Sequence, residues 1–393
     1  MMMKRLGIFY AICAIVLQVV AQKPLLVEII NPSSVDREKT IVEIPYYKIN
    51  DGLSLGERGK CRITDMKGKE LPMQHTYDGN CIFFIDRIGA RESLSFYIHK
   101  GQSAATDTLV SGACYPERLD DIAWENDCVA FRTYGPALEA TGEKAYGYDI
   151  WAKRVDYPVV KQRYEKELKE KVSYHQDHGD GLDCYSVGPT LGGGTSALLD
   201  YLDRIIYPYC YRSFRILDNG PLRFTVELTY RPFSLDNETY ITEHRVISLD
   251  RGSYLNKTIV RYKGLSRRNS VVTGIVLHQD NPEGYVIDEK KNWMAYADLT
   301  DNPKNNNGIL FLGAVFPDPV NKISALYLNP SEAKMRRANG HVLAYSTYQP
   351  GKSYIYYWGN GWSKYGFSSM EEWTNYLTKF KEELGKPLKV KIK

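Results

Sequence analysis

The feature that most constrains this chain is a long series of strand-length runs, each closed by turn residues, with little helical period between them. Leu25 to Ile30 is a β run ended by Asn31-Pro32, and Thr40 to Ile44 answers it with alternation. Cys81 to Ile85 and Ser93 to Ile98 read as two more strands. From Leu222 the pattern returns over Leu222–Tyr230, Thr239–Leu249, Tyr254–Tyr262 and Val271–His278. It continues over Gly308–Phe316, Ile323–Leu328, His341–Tyr348 and Tyr354–Trp358. Many strands at short spacing, without alternating helices, predict a mainly β protein of antiparallel β-sandwich or supersandwich type rather than a parallel α/β sheet. The polar stretch Lys100 to Asp107 is the natural linker. It divides the chain into a small N-terminal β-sandwich domain, 22–105, and a supersandwich domain, 106–393.

A few helices are expected. Asp156 before Pro158 suits a helix start, and Val160, Tyr164, Leu168 and Val172 then recur every four residues among Lys and Glu. A last helix opens at Ser368 or Ser369 with Glu three residues on, a capping box. It presents Trp373, Tyr376, Leu377, Phe380 and Leu384 and stops at Gly385 before Pro387.

The first residues read as a secretory signal peptide, 1–21. Lys4 and Arg5 form the basic region, Leu6 to Val20 is apolar apart from Gln18, and Val19-Val20-Ala21 is a small-residue cleavage pattern. The run is too short for a normal span, and Cys13 lies mid-segment, so neither a stable membrane anchor nor lipidation is expected. Export out of the cytoplasm is expected from this reading. Loss of Lys4 and Arg5 lowers the net charge from +4 to +2, which argues against a strongly basic nucleic-acid binder. Cys61, Cys81, Cys114, Cys128, Cys184 and Cys210 remain. In an oxidising compartment sequence neighbours suggest Cys61–Cys81, Cys114–Cys128 and Cys184–Cys210, although spacing does not establish connectivity and buried free thiols are the alternative. The absence of CxxC disfavours a zinc ribbon or thioredoxin site.

Tyr is unusually abundant, 31 against 12 Phe. Its flat apolar body and polar tip suit β surfaces and the walls of polar-ligand clefts, sugar sites among them. The richest constellation lies at Tyr174 to Asp183, where His175, His178, Asp177, Asp180 and Asp183 crowd a glycine-bearing loop. Paired imidazoles near carboxylates suit acid–base chemistry. Asp177, Asp180 and Asp183 equally suit a divalent cation such as calcium, although the bidentate Glu of an EF-hand is missing. A plain solvated loop is the third reading. Tyr146, Tyr148 and Trp151, with Trp358 in Tyr356 to Trp362, form a candidate aromatic platform or ordinary core. His278, at the end of the Val271 run, can project into a cleft. No P-loop, dinucleotide fingerprint or HExxH is present, so kinase, dehydrogenase and metalloprotease readings fall away.

Tyr134-Gly135-Pro136-Ala137, Tyr146 to Trp151, the His175-to-Asp183 loop with Val187 to Gly194, and Tyr357-Trp358-Gly359 together resemble a family known as domain of unknown function 4861. The resemblance covers most of the mature chain. It implies a Bacteroidota periplasmic protein found beside enzymes that dismantle pectin and other uronate-rich glycans. It also implies a fold similar to the galactose-mutarotase-like supersandwich. The function expected from this is a lyase or glycosidase acting on uronate-containing oligosaccharides, with a non-catalytic glycan binder or a mutarotase or epimerase as alternatives. His175 and His178 are the expected acid–base pair, Tyr174 their partner, and Arg204, Arg212 and Arg215 the expected holders of the uronate carboxylate.

Overall fold

A computed structural model describes residues 23–56, 59–300 and 305–393. The expected signal peptide falls outside them. The fold is mainly β, 46% strand and 14% helix, and the paired strands run antiparallel throughout.

Near the N-terminus a five-stranded sheet and a three-stranded sheet enclose one core, which includes Val27, Ile44, Ile63, Phe83 and Phe96. The run Cys81 to Ile85 is apolar at every position because both its faces are covered. Phe83 points into this core, whereas Ile82 and Phe84 pack on Leu222 of the following segment. The last strand, Lys389–Ile392, returns to pair with Leu25–Ile30.

The rest of the chain builds one nine-stranded and two five-stranded sheets around a common core. Helix Met370–Gly385 lies on the back of the nine-stranded sheet and buries Trp373 and Leu377 against Leu255, Trp293 and Phe311. Each such side chain contributes about 1.5–3 kcal/mol through removal from water. Its N-cap follows the expected box: the Ser369 hydroxyl accepts from Glu372 N–H, and the Glu372 carboxylate accepts from Ser368 N–H. No helix among the described residues is long and apolar enough to cross a membrane.

Among the described residues no disulfide joins the cysteine pairs suggested by sequence neighbourhood. The Cys114 sulfur meets the Tyr211 hydroxyl at 3.8 Å and the Cys210 sulfur meets the Ala145 carbonyl at 3.7 Å. Cys61 and Cys81, one of the suggested pairs, do come together, with their sulfurs within 4.8 Å of each other.

Candidate active site

The candidate site grows from one five-stranded sheet, in which Asp121–Glu125, Ala130–Thr133, Asp149–Lys153 and Gly181–Asp183 lie side by side. Alternate residues face opposite sides of a strand. Ile122, Trp124, Phe131, Ile150 and Leu182 therefore enter the main core. The register sets Arg132 opposite Ala123 and Asp149, and Trp151 opposite Ala130 and Asp183. The second face consequently carries Ala123, Ala130 and Trp151 together with the charged residues Asp121, Glu125, Arg132, Asp149, Lys153 and Asp183.

That charged face is covered by helix Val160–Glu170, through Val160, Tyr164 and the following Tyr174. The helix has no cap of its own. Instead, buried Glu125 accepts from the N–H groups of Val159 and Val160 at 2.9 and 2.8 Å, and is paired with Lys153 at 2.8 Å. A carboxylate at a helix N-terminus satisfies otherwise orphaned donors.

Arg132 organises the other charges. Its guanidinium donates to Asp149 (Nε–Oδ2 2.6 Å) and Asp183 (Nη2–Oδ2 2.9 Å), and lies 3.6 Å from Asp121. All four side chains are buried. One guanidinium offsets only one of three carboxylate charges, so the cluster relieves its repulsion by holding a proton. Burial raises Asp121 to about 6. Burial, with Asp149 beside it, pushes Asp183 well above the usual carboxylate range. The second oxygen of Asp183, Oδ1, has no hydrogen-bond partner among the described residues.

Asp121, Arg132 and Asp183 line an open cleft of about 1320 Å³. His278 and Tyr185 line it too. His278 follows strand Asn269–Leu277, and Asp298 ends strand Trp293–Asp298 in another sheet; the two side chains meet at 2.5 Å (Nδ1–Oδ2). Tyr185 packs edge-on to His278, ring centroids 5.6 Å apart, and its buried hydroxyl has no partner among the described residues. The cleft also holds Tyr146, Tyr207 and Tyr209, with the Tyr146 ring 6.2 Å from Tyr207 and 5.5 Å from Tyr209. Arg336, at the end of helix Pro330–Arg336, lies 3.8 Å over the Tyr207 ring and donates to the Pro189 carbonyl. Among the described residues it has no carboxylate partner, and its Nε is buried without an acceptor.

The family model for "Domain of unknown function (DUF4861)" matches residues 29–390. The chain belongs to this family. A curated relative, "Uncharacterized protein P7" of Formosa agariphila, is 30% identical over 299 residues, covering 71% of this chain and 70% of the relative. Among solved structures the chain is similar to an α-mannosidase from Enterococcus faecalis V583, at 8% identity and TM-score 0.48, covering 94% of this chain and 46% of the other. A glycosyl hydrolase family 38 protein from Enterococcus faecalis gives 8% identity and TM-score 0.47, covering 95% and 48%. The chain thus spans about half the length of those two structures.

In this DUF4861 chain the sequence-expected residues divide sharply. Tyr174, His175, Asp183, Tyr146 and His278 line the cleft. Tyr174 is buried, with Arg132 donating to its hydroxyl at 3.2 Å. The two loop histidines are engaged in holding the loop. His175 Nδ1 donates to the Asp183 carbonyl and His178 Nε2 to the Ser173 carbonyl, each at 2.9 Å; His178 does not line the cleft. His175, in the cleft, and His178, outside it, are thus not brought together there.

Asp177, Asp180 and Asp183, the residues expected for a divalent cation, point to separate partners. Asp177 accepts from Gly179 and Gly181 N–H and pairs with Arg154, Asp180 pairs with Arg163, and Asp183 joins Arg132. Each carboxylate turns to a different cation, so no three-oxygen cage forms among them. Gly181 is required there: at φ +103° a Cβ would meet the Ala152 carbonyl oxygen at 2.2 Å.

Nor is there a platform of Tyr148, Trp151 and Trp358, all three being core. Tyr148 stacks on Trp358 at 4.0 Å, and Trp151 stacks on Tyr174 at 4.9 Å. Arg204, Arg212 and Arg215 lie away from the cleft. Arg204 pairs with Asp200, Arg215 pairs with Glu227, and all three side chains are exposed. Sequence reasoning missed Asp121, Arg132, Asp149, Tyr185, Asp298 and Arg336 as site residues. The available signal was charge at every second or fourth position of otherwise apolar strands, as in Asp121-Ile122-Ala123-Trp124-Glu125 and Asp149-Ile150-Trp151-Ala152-Lys153.

Proposed function

We propose that this chain is a carbohydrate-active enzyme of the periplasm that cleaves uronate-containing oligosaccharides, such as pectin fragments, by β-elimination in the Arg132 cleft. One observation carries the choice of reaction: the buried carboxylates Asp121, Asp149 and Asp183 all contact a single guanidinium. The two of them that line the cleft, Asp121 and Asp183, therefore stand on one side of it, whereas hydrolysis by two carboxylates requires them to flank the scissile bond.

Elimination asks for a base, an acid and a cation, and the cleft supplies each. The Tyr146, Tyr207 and Tyr209 cluster offers faces for sugar C–H groups. Arg336, with no carboxylate of its own among the described residues, receives the uronate carboxylate and offsets charge developing on it. His278, oriented by Asp298, removes the proton on the carbon next to that carboxylate. The electron pair left on carbon forms the new C=C bond as the adjacent C–O bond breaks. Asp183 gives its proton to the departing oxygen, and Oδ1 is the oxygen without another partner. Solvent then returns the proton from His278 to Asp183.

A screen of wild type and His278→Gln against acidic and neutral oligosaccharides tests this reading. Turnover of acidic substrates alone, lost in the variant with binding kept, supports it. Binding without turnover by wild type replaces it with a glycan-binding role.

A further inference from the structure

Away from the cleft, three soft donors converge inside the N-terminal sandwich. Cys61 opens the strand Cys61–Asp65 in the five-stranded sheet, and His75 sits opposite Cys81 in the register of the facing three-stranded sheet. The two sulfurs and a ring nitrogen of His75 all lie within 4.8 Å of one another, with Cys61 Sγ 3.9 Å from His75 Nε2. Both cysteines are buried and the histidine is exposed. The imidazole is held from behind by Tyr46, edge-on at 5.2 Å, whose hydroxyl donates to the Gly59 carbonyl at 2.9 Å.

Tetrahedral zinc with Zn–S of about 2.3 Å and Zn–N of about 2.0–2.1 Å sets its ligand atoms roughly 3.5–3.8 Å apart. The Cys61–His75 separation lies just outside that range, within reach of a small rotamer adjustment. Two thiolates and an imidazole select a thiophilic ion and reject calcium and magnesium, which take oxygen. A bare disulfide between the two sheets needs no third donor, yet a ring nitrogen is placed beside the sulfurs. We infer that Cys61, Cys81 and His75 form a zinc(II) site that ties the two sheets of the N-terminal sandwich together. The exposed side, where His75 lies, leaves the fourth position to water or to a ligand from outside. This site is independent of the cleft and of the reaction assigned to it.

The test uses the mature chain without a histidine tag, treated with a mild reductant and chelator and then freed of both. Cobalt(II), a spectroscopic stand-in for zinc, is added. One equivalent should bind and give thiolate-to-cobalt charge-transfer absorption with the intense visible bands of a tetrahedral ion. Zinc should displace it. Cys61→Ser and Cys81→Ser should abolish the charge-transfer band. His75→Ala, a change at an exposed residue that leaves the core intact, should weaken zinc binding by on the order of a hundredfold, because loss even of an orienting neighbour costs roughly 10–100-fold. Failure of the reduced protein to bind cobalt or zinc overturns the site. So does a Cys61–Cys81 disulfide in the purified protein, seen as a linked peptide pair that appears only without reductant.

Discussion

His278 Nδ1 and Asp298 Oδ2 lie 2.5 Å apart and join the ends of two strands from different sheets at the wall of one cleft. Each residue follows or ends an apolar run, so the sheets themselves hold the pair in place. The carboxylate fixes the orientation and tautomer of the ring. Replacing His278 with Gln is expected to lower kcat by about 10²–10⁴-fold. Steady-state rates, with a thermal midpoint near that of wild type, check this.

Arg336 is expected to act in binding. Arg336→Met keeps the packing on Tyr207 and removes the charge, so KM for an acidic oligosaccharide should rise by a factor corresponding to about 1.5–3 kcal/mol, the worth of a hydrogen bond to a charged group. Affinity for the same sugar with its carboxylate reduced to an alcohol should be unchanged by the substitution. Equal weakening for both ligands argues against a carboxylate contact. Isothermal titration with the two ligands makes the comparison.

Asp121 gives a signed pH dependence. Its carboxyl is raised from 3.8 to about 6 by burial, so between those values the folded state holds a proton that the unfolded chain has released. Stability from this group is therefore full below about pH 4 and falls as pH rises through 6, by roughly 3 kcal/mol at most. Asp121→Asn cannot lose the proton, and its stability relative to wild type should grow over that interval. Denaturant unfolding of both proteins from pH 4 to pH 7 checks the sign.

Trp358 and Tyr146 separate core from cleft. Trp358 is fully buried, and Trp358→Ala should cost about 3–5 kcal/mol of stability. Tyr146 stands half-buried at the cleft, and Tyr146→Ala should weaken oligosaccharide binding while the unfolding midpoint stays within a few degrees. Saccharide titration and thermal unfolding of both variants check the pair.

Lys153 and Glu125 form a buried pair that caps helix Val160–Glu170 from a neighbouring strand. Lys153→Met strands the Glu125 carboxylate and should destabilise the chain by roughly 3–5 kcal/mol. Lys153→Met combined with Glu125→Gln should recover part of that loss, which equilibrium unfolding measures.

The strand runs were legible because alternation and turn residues report burial locally, and the last helix because its cap lies within four residues of sequence. The start of helix Val160–Glu170 was legible as well, but its cap was not: Glu125 lies 35 residues away. The same distance problem governs the site. Tyr174 to Asp183 was recognisable as a dense polar loop, yet most of its charges are spent on shaping the loop. Asp183 gains its chemistry from Arg132, and His278 from Asp298, through strand neighbours that no local pattern reveals. Trp151 and Trp358 show the opposite error. Aromatic sequence clusters look alike whether they line a ligand or fill a core, and only sheet register separates the two.

The most direct test of the central claim counts two products in one reaction of wild type with a uronate oligosaccharide: new reducing ends, and the ultraviolet absorbance of a C=C bond conjugated to a carboxylate. Elimination predicts one unsaturated uronate for every bond broken, and loss of both signals in Asp183→Asn. New reducing ends without the absorbance would contradict the account and assign the cleft to hydrolysis.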